Sequence, residues 1–170
     1  MHKLRDTPGE PQEDLRRSVE EAAGCRRVYV LGLGNTDRAD DGAGILVAEA
    51  MKKRFPRFSF SEHDGVEGAV LDISERKEEA TVFFIDAADL KSSPGSIRVV
   101  RTKDIKETEI TTHRVAVALM VSLLEARGKN SAVICIQAGS VGFMDDITEP
   151  VRQAIHHVLC ILEELMSTRD

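Results

Sequence analysis

The sequence has few cysteines, and they lie too far apart to build a disulfide framework or a thiolate metal site. There are three, Cys25, Cys135 and Cys160, and we expect all of them to be reduced thiols. Cys135 falls in an apolar run and Cys160 in a helical pattern, which is typical of buried packing residues. A catalytic cysteine is therefore not expected.

Long apolar runs and an excess of basic residues are also missing. No stretch approaches the ~20 consecutive apolar residues of a membrane span, and the charged N-terminus lacks the apolar core of a signal peptide. We therefore expect a cytoplasmic protein with no membrane partner. Because 23 Lys and Arg stand against 29 Asp and Glu, a net charge of -6, nucleic acid is not expected as a partner either: counterion release at a phosphate backbone needs a basic face.

The composition that remains is that of one globular domain. The chain has 170 residues, of which 42% are hydrophobic and 31% charged, values close to those of soluble domains. Residues 1–25 are rich in charge and contain Pro8 and Pro11, so they are expected to form an N-terminal extension that is either a short helix or disordered. Residues 26–170 are expected to form a single α/β domain.

Apolar runs typical of strands alternate with helical patterns along this domain. The strand-like segments are VYVLGLG, FSFS, ATVFFIDA and SAVICIQAGS, and the helical ones are GAGILVAEAMKKRF, EGAVLDISERKEE, HRVAVALMVSLLEARG and VRQAIHHVLCILEELM. This alternation predicts a doubly wound, three-layer α/β sandwich of about five mostly parallel strands, with SIRVVRT as a candidate antiparallel edge strand. In such folds ligands bind beyond the carboxyl ends of the strands.

The loop after the first strand is rich in glycine and acidic residues. It resembles a dinucleotide-binding loop, but Asp37 stands where the third glycine belongs, and Asp40 and Asp41 would repel a pyrophosphate. One of these two carboxylates is expected to cap the following helix. A helix cap needs only one carboxylate, so capping does not account for both. Gly42 and Gly44 remove side-chain bulk beside them, so another backbone segment is expected to approach closely.

Two further polar residues follow apolar segments. Asp86 comes after five largely apolar strand residues and is expected to emerge at the carboxyl edge of the sheet, since burial of a carboxylate is costly. His113 precedes a predicted helix. With Asp41 these residues supply two carboxylates and one imidazole, a ligand set suited to nickel, zinc or manganese.

Several alternatives remain open at this point. A receiver-like phosphoacceptor domain also has an acidic pair and a strand-end aspartate, but it needs a lysine where this chain has Gln137 and Ala138. A non-catalytic module or chaperone that binds a metal-loaded partner would use the same ligands. Asp64–Gly65 and Gln137–Ser140 either line a substrate groove or are ordinary turns. Serine-protease and zinc-protease motifs are absent from the sequence.

In order and spacing, these motifs resemble those of the nickel-iron hydrogenase maturation endopeptidases. The resemblance rests on LGLGN followed by DDGAG, the Asp64-Gly65 pair, Asp86 in IDA and the threonine-flanked His113, and it covers roughly residues 27–165. It implies a peptidase that removes a C-terminal extension from a hydrogenase large-subunit precursor after nickel insertion. The nickel would arrive with the substrate, and no tightly bound resident cofactor is expected.

The resemblance also implies roles for individual residues. By matching position, Asp41, Asp86 and His113 would be the catalytic and metal-contacting residues. Some members of the family carry glutamate where Asp41 stands, which keeps the charge on a longer side chain. The candidate residues of a substrate groove are Asn35, Asp40, Gly42, Asp64 and Gly65.

Overall fold

A single twisted sheet forms the centre of the computed structural model, which describes residues 11–101, 104 and 114–169. Within these residues the sheet has five strands: β1 Arg27–Gly32, β2 Ser59–Ser61, β3 Ala80–Ala88, β4 Ile97–Arg101 and β5 Asn130–Gln137. Their order across the sheet is β2-β1-β3-β5-β4. Four strands are parallel, and β4 pairs antiparallel with β5 at one edge. The predicted fold class, including the antiparallel edge strand, is confirmed.

Helices cover both faces of this sheet. They are α1 Pro11–Ala23, α2 Ala43–Arg54, α3 Val66–Glu75, α4 Arg114–Ala126 and α5 Glu149–Ser167, with short 3-10 turns at Ala39–Gly42 and Glu62–Asp64. The apolar residues of α1, α2 and α5 pack on one face, and those of α3 and α4 pack on the other. Because both faces are covered, the central strands are buried along their length, as parallel strands usually are.

The strand order determines where the chain leaves an opening. Strand β1 lies between β2 and β3, so the connections that follow β1 and β3 turn to opposite sides. This makes the gap beyond the carboxyl ends of β1 and β3 the topological switch point, which is the usual ligand site of doubly wound folds. The acidic turn Ala39–Gly42, which carries Asp40 and Asp41, follows β1 and contacts β3.

Two sequence-based expectations are wrong in detail. Asp86 does not end its strand, because β3 continues to Ala88, and the Asp86 side chain is fully buried within the sheet. Cys135 is buried as expected, but Cys160 is exposed, because the buried stripe of α5 runs past it through Val158 and Leu162. Among the helices of the described residues, none combines the length and apolarity needed to cross a membrane.

Candidate functional site

Close backbone packing holds the acidic turn against the ends of β1 and β3. The N–H of Asn35 donates to the carbonyl oxygen of Asp41 at 3.1 Å. A Cβ at Gly44 would lie 2.1 Å from the carbonyl oxygen of Ile85 and 2.4 Å from that of Leu33, so only glycine fits there. The close backbone approach expected at Gly44 is confirmed, and it places the beginning of α2 directly over the switch point.

Asp40 is fully buried and joins three separate segments of the chain. Its Oδ2 accepts hydrogen bonds from the N–H groups of Gly139 (2.7 Å) and Ser140 (2.9 Å) and from Thr148 Oγ1 (2.8 Å). Its Oδ1 accepts one from the N–H of Thr148 (2.7 Å). Asp40 therefore secures the loop after β5 and the beginning of α5. It does not cap the following helix α2, whose N-cap is Gly42, and all four of its hydrogen bonds go to the loop after β5 and the beginning of α5.

Asp41 differs sharply from its neighbour. The residue is only 8% exposed, yet among the described residues none donates a hydrogen bond to its carboxylate or forms an ion pair with it. A carboxylate that is largely buried without a partner is unfavourable. A cation approaching the switch point would relieve this cost.

Asp86 occupies the interior of the sheet, on the same face as Phe84 and Cys135 and beneath the layer formed by α3 and α4. It pairs in register with Cys135 of β5. Burial, reinforced by the nearby Asp86 carboxylate and opposed by Arg98, raises the pKa of the Cys135 thiol to about 12. Cys135 is therefore a protonated packing residue beside the Asp86 carboxyl group.

Two of the three predicted metal ligands lie within the described residues. Asp41 and Asp86 are described, and the turn that carries Asp41 contacts the strand that carries Asp86. His113 lies outside the described residues. Within those residues, no three His, Cys, Asp or Glu side chains are grouped so that they could hold a metal ion. Of the three predicted ligands, the structure therefore describes Asp41 in the acidic turn and Asp86 in the strand that this turn contacts.

Asp64 and Gly65 have the contacts of a local turn. Asp64 is the last residue of a capping box with Ser61, whose N–H donates to the Asp64 carboxylate at 2.9 Å. The ammonium of Lys52 also binds this carboxylate. The Lys52 hydrogen bond is the largest cause that lowers the pKa of Asp64, and the Ser61 N–H adds to it. Gly65 ends the turn with a φ of 82°, a conformation that favours glycine.

The remaining groove candidates also have identified contacts. Asn35 is exposed, and its side-chain oxygen accepts a hydrogen bond from the N–H of Asp37 at 2.9 Å. The side-chain oxygen of Gln137 accepts one from the N–H of Leu90 at 2.6 Å, which ties the segment after β3 to the end of β5. The links from Asp40 to Gly139 and Ser140 could not be found in the sequence, because backbone N–H groups are present at every non-proline residue.

The structure defines a doubly wound α/β fold in which the carboxylate-bearing turn follows β1 and contacts β3 at the switch point. Comparison with known proteins identifies the family to which the chain belongs. The family model for the hydrogenase maturation proteases of the HycI type matches residues 45–165. The chain belongs to this family and is a protease. The matched region includes Asp86 and His113, and Asp41 lies four residues before it.

Individual relatives agree with this assignment. The chain is 31% identical over 137 residues to the hydrogenase 3 maturation protease of Escherichia coli K12, covering 79% of this chain and 87% of the relative. The solution structure of the endopeptidase HycI from Escherichia coli matches with 25% identity and a TM-score of 0.64, covering 84% of this chain and 91% of the other. A maturation protease from Thermococcus kodakarensis KOD1 shares the fold, with 21% identity, a TM-score of 0.69, and coverage of 91% and 99%. The receiver-like alternative is therefore rejected.

Proposed function

We propose that this protease removes the C-terminal extension of a nickel-loaded hydrogenase large-subunit precursor. In this proposal the nickel is part of the substrate, and Asp41, Asp86 and His113 contact it. The observation that carries the proposal is the Asp41 carboxylate, which is 8% exposed and has no partner among the described residues. We further propose that the protein works in the cytoplasm, where the free thiols Cys25, Cys135 and Cys160 remain reduced.

The chemistry of the two carboxylates supports recognition of a metal. Carboxylate oxygen and imidazole nitrogen suit borderline divalent ions such as nickel. Asp86 is fixed in a buried central strand, so it defines where the ion must lie, and Asp41 adjusts around it from the acidic turn. A precursor that carries nickel gains these contacts, and a nickel-free precursor does not. Recognition therefore makes cleavage conditional on completed metal insertion.

Binding of the metal centre also positions the peptide to be cut. Once the loaded centre is docked at the switch point, the neighbouring polypeptide is held against the loops that follow β1, β3 and β5. Holding a scissile bond in one orientation converts an encounter in solution into a local event. The carboxylates thus contribute binding and orientation to hydrolysis of the peptide bond.

A cleavage assay tests the proposal directly. The purified protein is incubated with nickel-loaded or nickel-free large-subunit precursor, and loss of the C-terminal extension is followed by intact-mass measurement. We expect cleavage of the loaded form alone, and loss of cleavage in Asp41→Asn. The matched control is Asp72→Asn, which removes an exposed carboxylate on α3 and should cleave normally.

Two results would contradict the proposal in different ways. Equal cleavage of loaded and nickel-free precursor would refute recognition through the metal. Tight binding of loaded precursor without any cleavage would favour the alternative of a non-catalytic module that holds a metal-loaded partner.

A further inference from the structure

The loop between β5 and α5 displays large apolar side chains to solvent. Val141 is 46% exposed, Phe143 74% and Met144 72%. Single exposed apolar residues are ordinary, but three within four consecutive positions form a patch of the kind that marks an interaction site. We refer to residues 141–144 as the apolar loop.

Hydrogen bonds hold the apolar loop beside the candidate site. The N–H of Met144 donates to the carbonyl oxygen of Asp37 at 2.7 Å, in the segment that leads into the acidic turn. At the base of the loop, the N–H of Ser140 donates to the Asp40 carboxylate at 2.9 Å, and the Ser140 carbonyl accepts the N–H of Asp40 at 3.1 Å. The apolar loop therefore lies directly beside the acidic turn.

The backbone of the loop is held in an unfavourable conformation. Met144 has a φ of 59°, in the left-handed region, which is unfavourable for an L-residue with a side chain. Such strain persists where the surrounding contacts enforce it and is frequent at binding sites. Here the hydrogen bond to Asp37 enforces it, and the side chains of Phe143 and Met144 remain exposed to solvent.

The charges around the apolar loop indicate the chemistry of its partner. Among the described residues next to the loop, Asp37, Asp145 and Asp146 are exposed carboxylates. The guanidinium of Arg38 is also exposed, and that of Arg152 donates to the Ile147 carbonyl. A predominantly negative rim favours a partner that carries basic residues and disfavours an anionic lipid surface. Aromatic residues and methionine are enriched in the cores of protein interfaces. An apolar polypeptide segment with an adjacent basic side chain therefore fits this surface.

We propose that the apolar loop docks the precursor polypeptide next to its metal centre, by binding an apolar side chain that lies beside a basic residue. The inference rests on the proposed function, since it names a second contact of the same substrate. The metal-contacting residues and the apolar loop bind two points of one precursor. The polypeptide between these two points is thereby fixed across the switch point. Discrimination then depends on the sequence near the cleavage site as well as on the metal.

Steady-state kinetics with Phe143→Ser tests the docking proposal. We expect the KM for nickel-loaded precursor to rise about tenfold, equivalent to about 1.4 kcal/mol of lost binding, with kcat within about twofold of normal. Phe143→Leu, which keeps an apolar side chain, should restore most of the affinity. The matched control is Leu71→Ser on α3, where the native side chain is also exposed at 49%, and its KM should not change.

A binding measurement keeps this test separate from the test of the proposed function. Immobilised precursor is used to compare the Kd of the unaltered protein with that of Phe143→Ser, whether or not cleavage occurs. Binding weakened by Phe143→Ser in a protein that does not cleave would refute the proposed function and support the docking. If Phe143→Ser left both KM and Kd unchanged, the docking proposal would be overturned, and the proposed function would be unaffected.

Two further measurements exclude other occupants of the loop. Flotation with vesicles of neutral and anionic phospholipid should show no binding, and size-exclusion chromatography should show no self-association that depends on Phe143. Vesicle binding or dimer formation that Phe143→Ser abolishes would each overturn the proposal.

Discussion

Asp40 and Asp41 are adjacent acidic residues with opposite environments. Asp40 is buried and accepts four hydrogen bonds. Asp41 is nearly as buried but has no partner for its carboxylate among the described residues. Hydrogen bonds to charged groups stabilise a fold, whereas an unpaired buried charge destabilises it. The same residue type therefore supports the fold at one position and, in the proposed function, contacts the substrate metal at the next.

This contrast predicts opposite effects of one substitution. Asp40→Asn replaces an oxygen that accepts an N–H with an NH₂ group that cannot, so we expect the free energy of unfolding to fall by about 2 kcal/mol or more. Asp41→Asn should leave stability unchanged or raise it slightly, and should abolish processing of loaded precursor. Chemical denaturation and the cleavage assay measure the two effects. Comparable destabilisation by both substitutions would assign Asp41 to the fold instead of the site.

Asp64 provides a prediction about pH at the residue scale. Its pKa is lowered from the ordinary value of 3.8, chiefly by the hydrogen bond from Lys52. A lowered folded-state pKa contributes stability that is present above pH 3.8 and is lost as the pH falls through the folded value. Asp64→Asn should therefore cost about 0.2–1 kcal/mol at pH 7, and this difference should disappear in acid.

Unfolding curves for Asp64→Asn and the unaltered protein between pH 7 and pH 2 measure this effect. Asp72→Asn serves as the control, because Asp72 is exposed on α3. A difference between Asp64→Asn and the unaltered protein that persisted unchanged to pH 2 would contradict the assigned role of the Lys52 pair.

At the scale of elements, helix α1 is tied to the rest of the molecule by its buried side. Leu15, Val19 and Ala23 recur at helical spacing, and all three pack into the same core layer as α2 and α5. Arg16 adds an ion pair with Glu164 of α5 at 2.7 Å, which contributes little because both side chains are exposed. The apolar contacts therefore dominate the docking of α1.

Truncation of one of these contacts should weaken the fold without altering the site. We expect Leu15→Ala to lower the free energy of unfolding by about 2 kcal/mol, because Leu15 is buried against the first core layer. Processing at low temperature should be unaffected, since α1 contributes no residue to the acidic turn. Arg17→Ala, on the exposed side of α1, is the control for denaturant unfolding. Unchanged stability of Leu15→Ala would show that α1 is dispensable to the core.

The elements show how much of the molecule could be predicted from sequence. The three-layer architecture was predicted correctly from apolar runs such as those of β3 and β5. The antiparallel edge strand was predicted correctly from the alternating pattern of β4. The boundary at Asp86 was wrong, because a carboxylate after an apolar run usually marks a strand end, and its burial depends on neighbours distant in sequence. The role of Asp40 was not predictable for the same reason, since its donors follow β5.

At the scale of the whole molecule, two candidate ligands lie around the switch point, in the acidic turn and in β3. A site that combines few protein ligands with positions left for the substrate is open, and open sites hold free ions weakly. We therefore expect purified protein treated with chelator to retain no stoichiometric metal. Elemental analysis of the purified protein measures this, with nickel-loaded precursor as the positive control. Tightly retained stoichiometric metal would indicate a resident ion and contradict delivery of nickel by the substrate.

The hydrogen bonds of Asp40 also bear on when the enzyme becomes competent during its own synthesis. They join positions 99 to 108 residues apart along the chain. At about 5–20 residues per second, a ribosome needs roughly 5–20 seconds to translate from Asp40 to the codons of its partners. Until those partners have been synthesised, Asp40 lacks the donors that tie its turn to the loop after β5 and to α5. A nascent chain that has not reached Thr148 therefore has an incompletely fastened acidic turn.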